Sequence, residues 1–168
     1  MALNLTRSPE ESLILTLFDV VNHMTKNGEG MAAEGGLTVQ QWLVLLQIAG
    51  DPNFPPSDPD RDPAAGVLAS EIAGARGVSR SNVSSLLTPL LQKRLVRQVE
   101  DPRDRRRKFL EVTAAGRAAL ERIEPVRRRA NRSLFAGVDR GELGTALRLL
   151  ETSLSRLRRG SLRSSGNA

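Results

Sequence analysis

Between residues 67 and 116 the chain asks for two short helices and then two short strands, in that order and with few connecting residues to spare. In Ala69–Leu87 the small Ala73 stands where two helices would approach, Gly77 four positions later permits a left-handed turn, and Ile72, Val78, Val83 and Leu86 are spaced to share one core. Ser79 is a natural N-cap for the second helix, whose apolar side is Val83, Leu86, Leu87, Leu90 and Leu91. This is the spacing of a helix-turn-helix. The other side of that second helix carries Arg80, Ser81, Asn82, Ser84, Ser85 and Thr88. These side chains are small and hydrogen-bonding, suited to a groove about 12 Å wide, whereas a face that meets only solvent more often carries Glu and Lys. The plainer alternative is a helical pair used for packing alone, since Ser and Asn also cap ordinary helices.

The next segment weighs against that alternative. Leu95–Glu100 and Lys108–Val112 are β-branched and apolar enough for two short strands, and Asp101–Arg107 between them reads as a hairpin tip. A helix-turn-helix followed by a basic hairpin is a winged helix. Arg103, Arg105, Arg106 and Arg107 are concentrated at this one tip, where a narrow minor groove would focus negative potential on a guanidinium; Asp104 among them can hold an arginine as a bidentate pair.

Composition agrees. The net charge of +6 and a sequence pI near 11.1 favour an anionic partner. There is no cysteine, which excludes disulfides, thiolate metal sites, iron–sulfur clusters and thiol-based peroxide sensing. Tyrosine is absent and aromatics are scarce, so an RNA-binding sheet that stacks bases on rings is disfavoured. One histidine, no phosphate-binding glycine-lysine loop and no nucleophile–base pair argue against an enzyme; no cofactor or metal is expected. No apolar run is long enough to span a bilayer and the start lacks a basic leader, so the expectation is a cytoplasmic protein with no membrane partner, nucleoid-associated when bound to DNA.

The flanks should be helical. Ser8-Pro9-Glu10-Glu11 opens a helix through Leu13, Leu17, Val20, Val21 and Met24 that is expected to end near Asn27-Gly28, leaving Gly28, Gly30, Gly35 and Gly36 in a flexible connector. Thr38 opens a second helix that Gly50 and Asp51-Pro52 end. Residues 51–66 are too rich in Pro and Asp for regular structure and read as a long loop. Leu143, Leu147, Leu150, Leu154 and Leu157 recur at alternating gaps of four and three, a seam that needs a partner helix. Pro125 should kink or split the helix before it, and the polar residues 161–168 should fray. The fold class is therefore mainly α with a small β-hairpin wing, in a single domain: helices over 8–50, a loop over 51–66, the winged helix-turn-helix over 67–116, helices over 117–160, and a tail.

The wing Asp101-Pro-Arg-Asp104-Arg105-Arg106, followed by Val112-Thr113-Ala-Ala-Gly116 and preceded by the helix-turn-helix, resembles the MarR family of transcription regulators. The resemblance covers roughly residues 67–116; the flanking helices agree only in pattern. It departs from the family's pattern at Pro89 inside the second helix, which would shorten it, at Arg94 where a glycine commonly closes that helix, at Pro125, and in the 51–66 loop. It implies a homodimer with winged lobes reading successive major grooves of double-stranded DNA, Arg106 entering the minor groove and Asp104 bracing the wing. The dimer contacts then fall to Leu13, Leu17 and the Leu143–Leu157 seam. It further implies repression at a pseudo-palindromic operator, relieved by a small aromatic or phenolic effector. His23, Met24 and Trp42 lie on the helices that would border such a pocket, although Met24 and Trp42 read first as core and His23 as a surface or capping residue. A winged-helix module that binds another protein is the alternative, and it has no need of so much unpaired charge at the wing.

Overall fold

The computed structural model describes residues 8–54, 66–101, 104 and 106–164. Arg103, Arg105 and most of the 51–66 loop lie outside the described residues. The element order is α1 (Pro9–Ala33), α2 (Val39–Ile48), β1 (Val67–Leu68), α3 (Ala69–Arg76), α4 (Arg80–Gln92), β2 (Val96–Glu100), β3 (Lys108–Val112), α5 (Ala114–Leu134) and α6 (Arg140–Ser164). The chain divides into two units, residues 1–126 and 127–168.

In the first unit, Ser8 begins α1 with a reciprocal cap: its Oγ accepts from the Glu11 N–H at 3.3 Å and its own N–H donates to Glu11 Oε2 at 3.0 Å. The expected stop at Asn27-Gly28 is wrong, because α1 continues through Gly28 and Gly30 to Ala33. Glycine costs a helix about 1 kcal/mol, yet at Gly28 a Cβ would stand 2.9 Å from Val39 Cγ2, so the bare backbone is what lets α2 start against α1. Thr38 caps α2 in the same reciprocal way with Gln41.

The sheet has the order β1-β3-β2, with Val96 opposite Val112, Gln98 opposite Leu110 and Glu100 opposite Lys108. The hairpin was expected; β1 was not. Its two residues pair with Leu110 and Phe109 and are too few to show any periodicity of their own. Leu45 and Val44 of α2, Ile72 of α3, Val83 and Leu90 of α4, Leu110 of β3 and Ile123 of α5 are fully buried in one core. Each contributes about 1.5–3 kcal/mol by leaving water, so α2, α3, α4, β3 and α5 are all anchored in this core.

Neither internal proline breaks its helix. α4 runs through Pro89 and α5 through Pro125, so the expected shortening of α4 and splitting of α5 do not occur. A proline removes only one N–H donor, and the burial of Leu87 and Leu90 on either side of Pro89, and of Ala119 and Ile123 before Pro125, offsets a penalty of about 3 kcal/mol.

In the second unit, Asp139 Oδ1 accepts from the backbone N–H groups of Gly141 at 2.7 Å and Glu142 at 3.3 Å, which starts α6. That helix continues to Ser164, past the residue 161 at which fraying was expected. Of the leucine seam, Leu147, Leu150, Leu154 and Leu157 are exposed and Leu143 is half-buried.

Candidate nucleic-acid interface

Two Schellman caps set the course of α4. At its entry Gly77 has φ +63°, its N–H donates to Gly74 O, and the Val78 N–H donates to Ala73 O at 3.1 Å. This turns the chain sharply enough for Val78 and Val83 to face the same core as Ile72. At its exit the Arg94 N–H donates to Leu91 O and the Leu95 N–H to Leu90 O, both at 2.9 Å, with Arg94 at φ +54°. Arg94 is the only non-glycine residue at positive φ among the described residues.

Ser79 caps α4 by accepting the Asn82 N–H at 3.2 Å, and its hydroxyl lies 2.9 Å from that of Ser81. The first turns of α1, α3 and α6 hold acids that complement the helix dipole, whereas those of α2, α4 and α5 hold none, and that of α4 carries Arg80. The exposed N-terminus of α4 thus keeps its positive dipole end and adds the exposed Arg80 cation to it, an arrangement suited to a phosphate.

Ser81, Ser84, Ser85 and Thr88 are all exposed. Ser84 Oγ donates to Arg80 O at 3.0 Å, Ser85 Oγ to Ser81 O at 3.0 Å and Thr88 Oγ1 to Ser84 O at 2.9 Å. Their hydrogens are held by the helix while their oxygens remain outward acceptors. Forked or paired donors on this surface come instead from Arg80 and Asn82. Gln92 is exposed on the same side, four residues after Thr88; sequence reasoning missed it because Pro89 was expected to shorten the helix.

Beyond the β2–β3 ladder, the Asp101 N–H donates to Arg107 O at 3.0 Å and the Arg107 N–H to Asp104 O at 2.9 Å. Asp104 braces the tip through the backbone, its Oδ1 accepting the Arg106 N–H at 3.0 Å, where the sequence suggested a carboxylate–guanidinium pair. Arg106 is exposed and its guanidinium has no partner among the described residues. Arg107 differs: it lies 3.8 Å from Asp101 Oδ2, and its guanidinium carbon sits 5.5 Å from the Phe109 ring centroid. Arg97 is tied across the strands to Glu111 Oε2 at 2.7 Å.

Thr113 joins the wing to α5. Its Oγ1 donates toward Arg94 O at 2.7 Å, with Leu95 O at 3.1 Å, and accepts the Gly116 N–H at 3.1 Å. A Cβ on Gly116 would overlap the Leu95 carbonyl oxygen and stand 2.7 Å from Val112 Cγ2. The Thr-x-x-Gly spacing is thereby explained: a cap three residues before a position with no room for a side chain.

The remaining candidates do not share one environment. His23 and Met24 are exposed on α1, so Met24 is not core as read from the sequence; Trp42 is half-buried against the core. Leu13 is exposed and Leu17 half-buried on α1, beside exposed Ile14, Phe18 and Val21. Arg76, at the end of α3, donates from Nη2 to Gln40 Oε1 at 2.6 Å, while its buried Nε has no partner; burial pushes its pKa down from the ordinary arginine value. No helix among the described residues is long and apolar enough to cross a membrane.

Comparison with known proteins places this geometry. A family model described as MarR family matches residues 35–107. The chain is 35% identical over 116 residues to a putative transcriptional regulatory protein for hcr operon from Thauera aromatica, covering 69% of this chain and 62% of that protein. It is 30% identical over 109 residues to the transcriptional activatory protein BadR from Rhodopseudomonas palustris, covering 65% of this chain and 57% of that one. The chain thus spans about six-tenths of the length of these relatives. Among solved structures, a MarR protein from Peptoclostridium difficile aligns at TM-score 0.78 and 15% identity over 98% of this chain and 99% of that one. MepR from S. aureus, solved with DNA, aligns at TM-score 0.66 and 22% identity over 84% and 94%. CouR from Rhodococcus jostii, solved with p-coumaroyl-CoA, aligns at TM-score 0.72 and 20% identity over 89% and 96%.

Proposed function

We propose that this chain, which matches the MarR family model over residues 35–107, is a winged-helix transcription regulator of that family that binds a pseudo-palindromic DNA operator as a homodimer. The observation that carries this reading is the pairing of two exposed elements in one lobe: the acid-free N-terminus of α4 with Arg80, and a wing whose backbone is braced by Asp104 while the Arg106 guanidinium has no partner among the described residues. Phosphate contacts supply affinity, α4 reads the major groove, and Arg106 enters the minor groove. Arg80, Ser81, Asn82, Ser84, Ser85 and Thr88 form the reading surface, Ser79 positions it, and Arg103 and Arg105 add charge to the wing.

The dimer is supported by exposed apolar faces on α1 and α6, where Leu13 and Leu147, Leu150, Leu154 and Leu157 are exposed and Leu17 is half-buried in one chain. Two-fold symmetry then requires half-sites about one helical turn apart. We read the regulatory outcome as repression by occlusion; BadR is named an activatory protein, so operator position relative to the promoter sets the sign. The effector in this reading is a small aromatic or phenolic compound, free or as a thioester of the kind seen with CouR, and it acts only through its difference in affinity between two dimer geometries.

The test is binding of the purified protein to duplex fragments from its own upstream region, with competitor DNA and a salt titration, for wild type and Arg106→Ala. Saturable, salt-sensitive binding to a near-palindrome, weakened at least ~5-fold by the substitution, is expected. Binding that ignores sequence and Arg106 would transfer the wing to a protein partner.

A further inference from the structure

We propose that Arg107 is a positioning residue of the wing, and does not itself touch DNA. The inference rests on the DNA-binding reading above and divides two adjacent arginines that the sequence groups together.

Four contacts converge on Arg107. Its N–H and C=O close the tip against Asp104 and Asp101, its guanidinium lies 3.8 Å from Asp101 Oδ2, and the same group sits over Phe109. Arg107 immediately precedes β3 and Phe109 is the second residue of that strand, so at a spacing of two their side chains share one face of the ribbon. Asp101 lies beyond Glu100 on the neighbouring strand, and its side chain is only 11% exposed against 49% for Arg107. A carboxylate that withdrawn from water needs a cation, and a planar guanidinium can meet the carboxylate edge-on while presenting its face to the ring. Lysine cannot do both.

Arg106, one residue earlier, is the third residue of the 104–107 turn and carries no side-chain contact of this kind among the described residues. The clamp on Arg107 holds the last residue of that turn to the strand base. Without it the turn retains Asp104 but loses the Arg107 side chain's tie to Asp101 and Phe109, and Arg106 must be ordered at the moment of binding. That ordering opposes association without changing the number of charges DNA meets from Arg106.

The test is a double-mutant cycle on the duplex carrying the near-palindrome chosen by wild type, measured by fluorescence anisotropy over a salt series. Arg107→Ala should weaken binding by ~5–10-fold in the wild-type background and by less than about twofold in Arg106→Ala, with the salt slope in that second background unchanged. Arg107→Lys, which keeps the charge and guards against an alanine variant that fails to fold, should bind no better than Arg107→Ala. Additive losses, a salt slope lowered by ~1, restoration by lysine, or wild-type affinity in Arg107→Ala would each overturn the assignment. If wild type selects no duplex, the DNA-binding reading itself fails, which is a separate result.

Discussion

Arg94 offers a substitution whose sign is opposite to that of most. It closes α4 at φ +54°, in a cap otherwise identical in its hydrogen bonds to the one Gly77 makes at the end of α3. For a residue with a Cβ, that left-handed conformation costs about 1–2 kcal/mol. Replacing Arg94 with glycine removes the cost and keeps both cap hydrogen bonds as well as the carbonyl that accepts from Thr113, because all of these belong to the backbone. Against the gain stands the freedom glycine adds to the unfolded chain, about 0.4–1 kcal/mol, and the loss of a cation beside a helix C-terminus, worth a few tenths. Arg94→Ala isolates these terms, since it loses the cation but keeps the Cβ. Arg94→Gly should therefore exceed Arg94→Ala by about 0.5–1 kcal/mol, or roughly 1–4 °C in Tm for a chain of this size, with protein concentration held fixed because dimer melting depends on it. The assay is thermal unfolding followed by circular dichroism for the two variants beside wild type. A glycine variant that melts at or below the alanine variant would show that Arg94 bears no conformational cost, and the cap argument would fall.

Gly116→Ala should have the reverse effect, destabilising by about 1–3 kcal/mol because the new methyl meets the Leu95 carbonyl and Val112; denaturant titration would show a lower midpoint at unchanged slope. Ser79→Ala should cost about 1 kcal/mol by uncapping α4 and should weaken operator binding beyond that loss in stability, which melting and anisotropy together resolve. Arg76→Met, which removes a buried Nε without a partner, should leave Tm unchanged or raise it; a fall of more than about 1 kcal/mol in stability would show that the bond to Gln40 outweighs the desolvation. Leu150→Glu with Leu154→Glu should convert the proposed dimer to monomer in sedimentation equilibrium, since both side chains are exposed in a single chain; a dimer that survives both would remove α6 from the proposed interface.

Much of the recognition lobe was legible because its signals are local. Ser8, Thr38 and Ser79 cap the helices they were expected to start, Gly77 turns where a left-handed residue was needed, and the two strands of the wing lie within a residue of their expected bounds. The errors share a cause. Gly28 and Pro89 were weighed by intrinsic propensity, a matter of about 1–3 kcal/mol, and were overruled by packing alongside them, and Pro125 does not split its helix for the same reason. β1 was invisible because two residues show no alternation and form a strand only when Leu110 and Phe109 are already beside them.

The same division runs through the site. Which residues bear charge, which helix begins with hydroxyls, and where the wing lies along the chain follow from residue order alone, since caps, turns and periodicity act over a few neighbours. The roles of adjacent arginines do not. Arg106 and Arg107 are one symbol repeated in the sequence, and only the approach of Asp101 across the hairpin, with Phe109 on the same face, sets one in a clamp and leaves the other without a partner among the described residues. Contacts between strands depend on register, and register is decided by which faces are buried when the whole lobe packs.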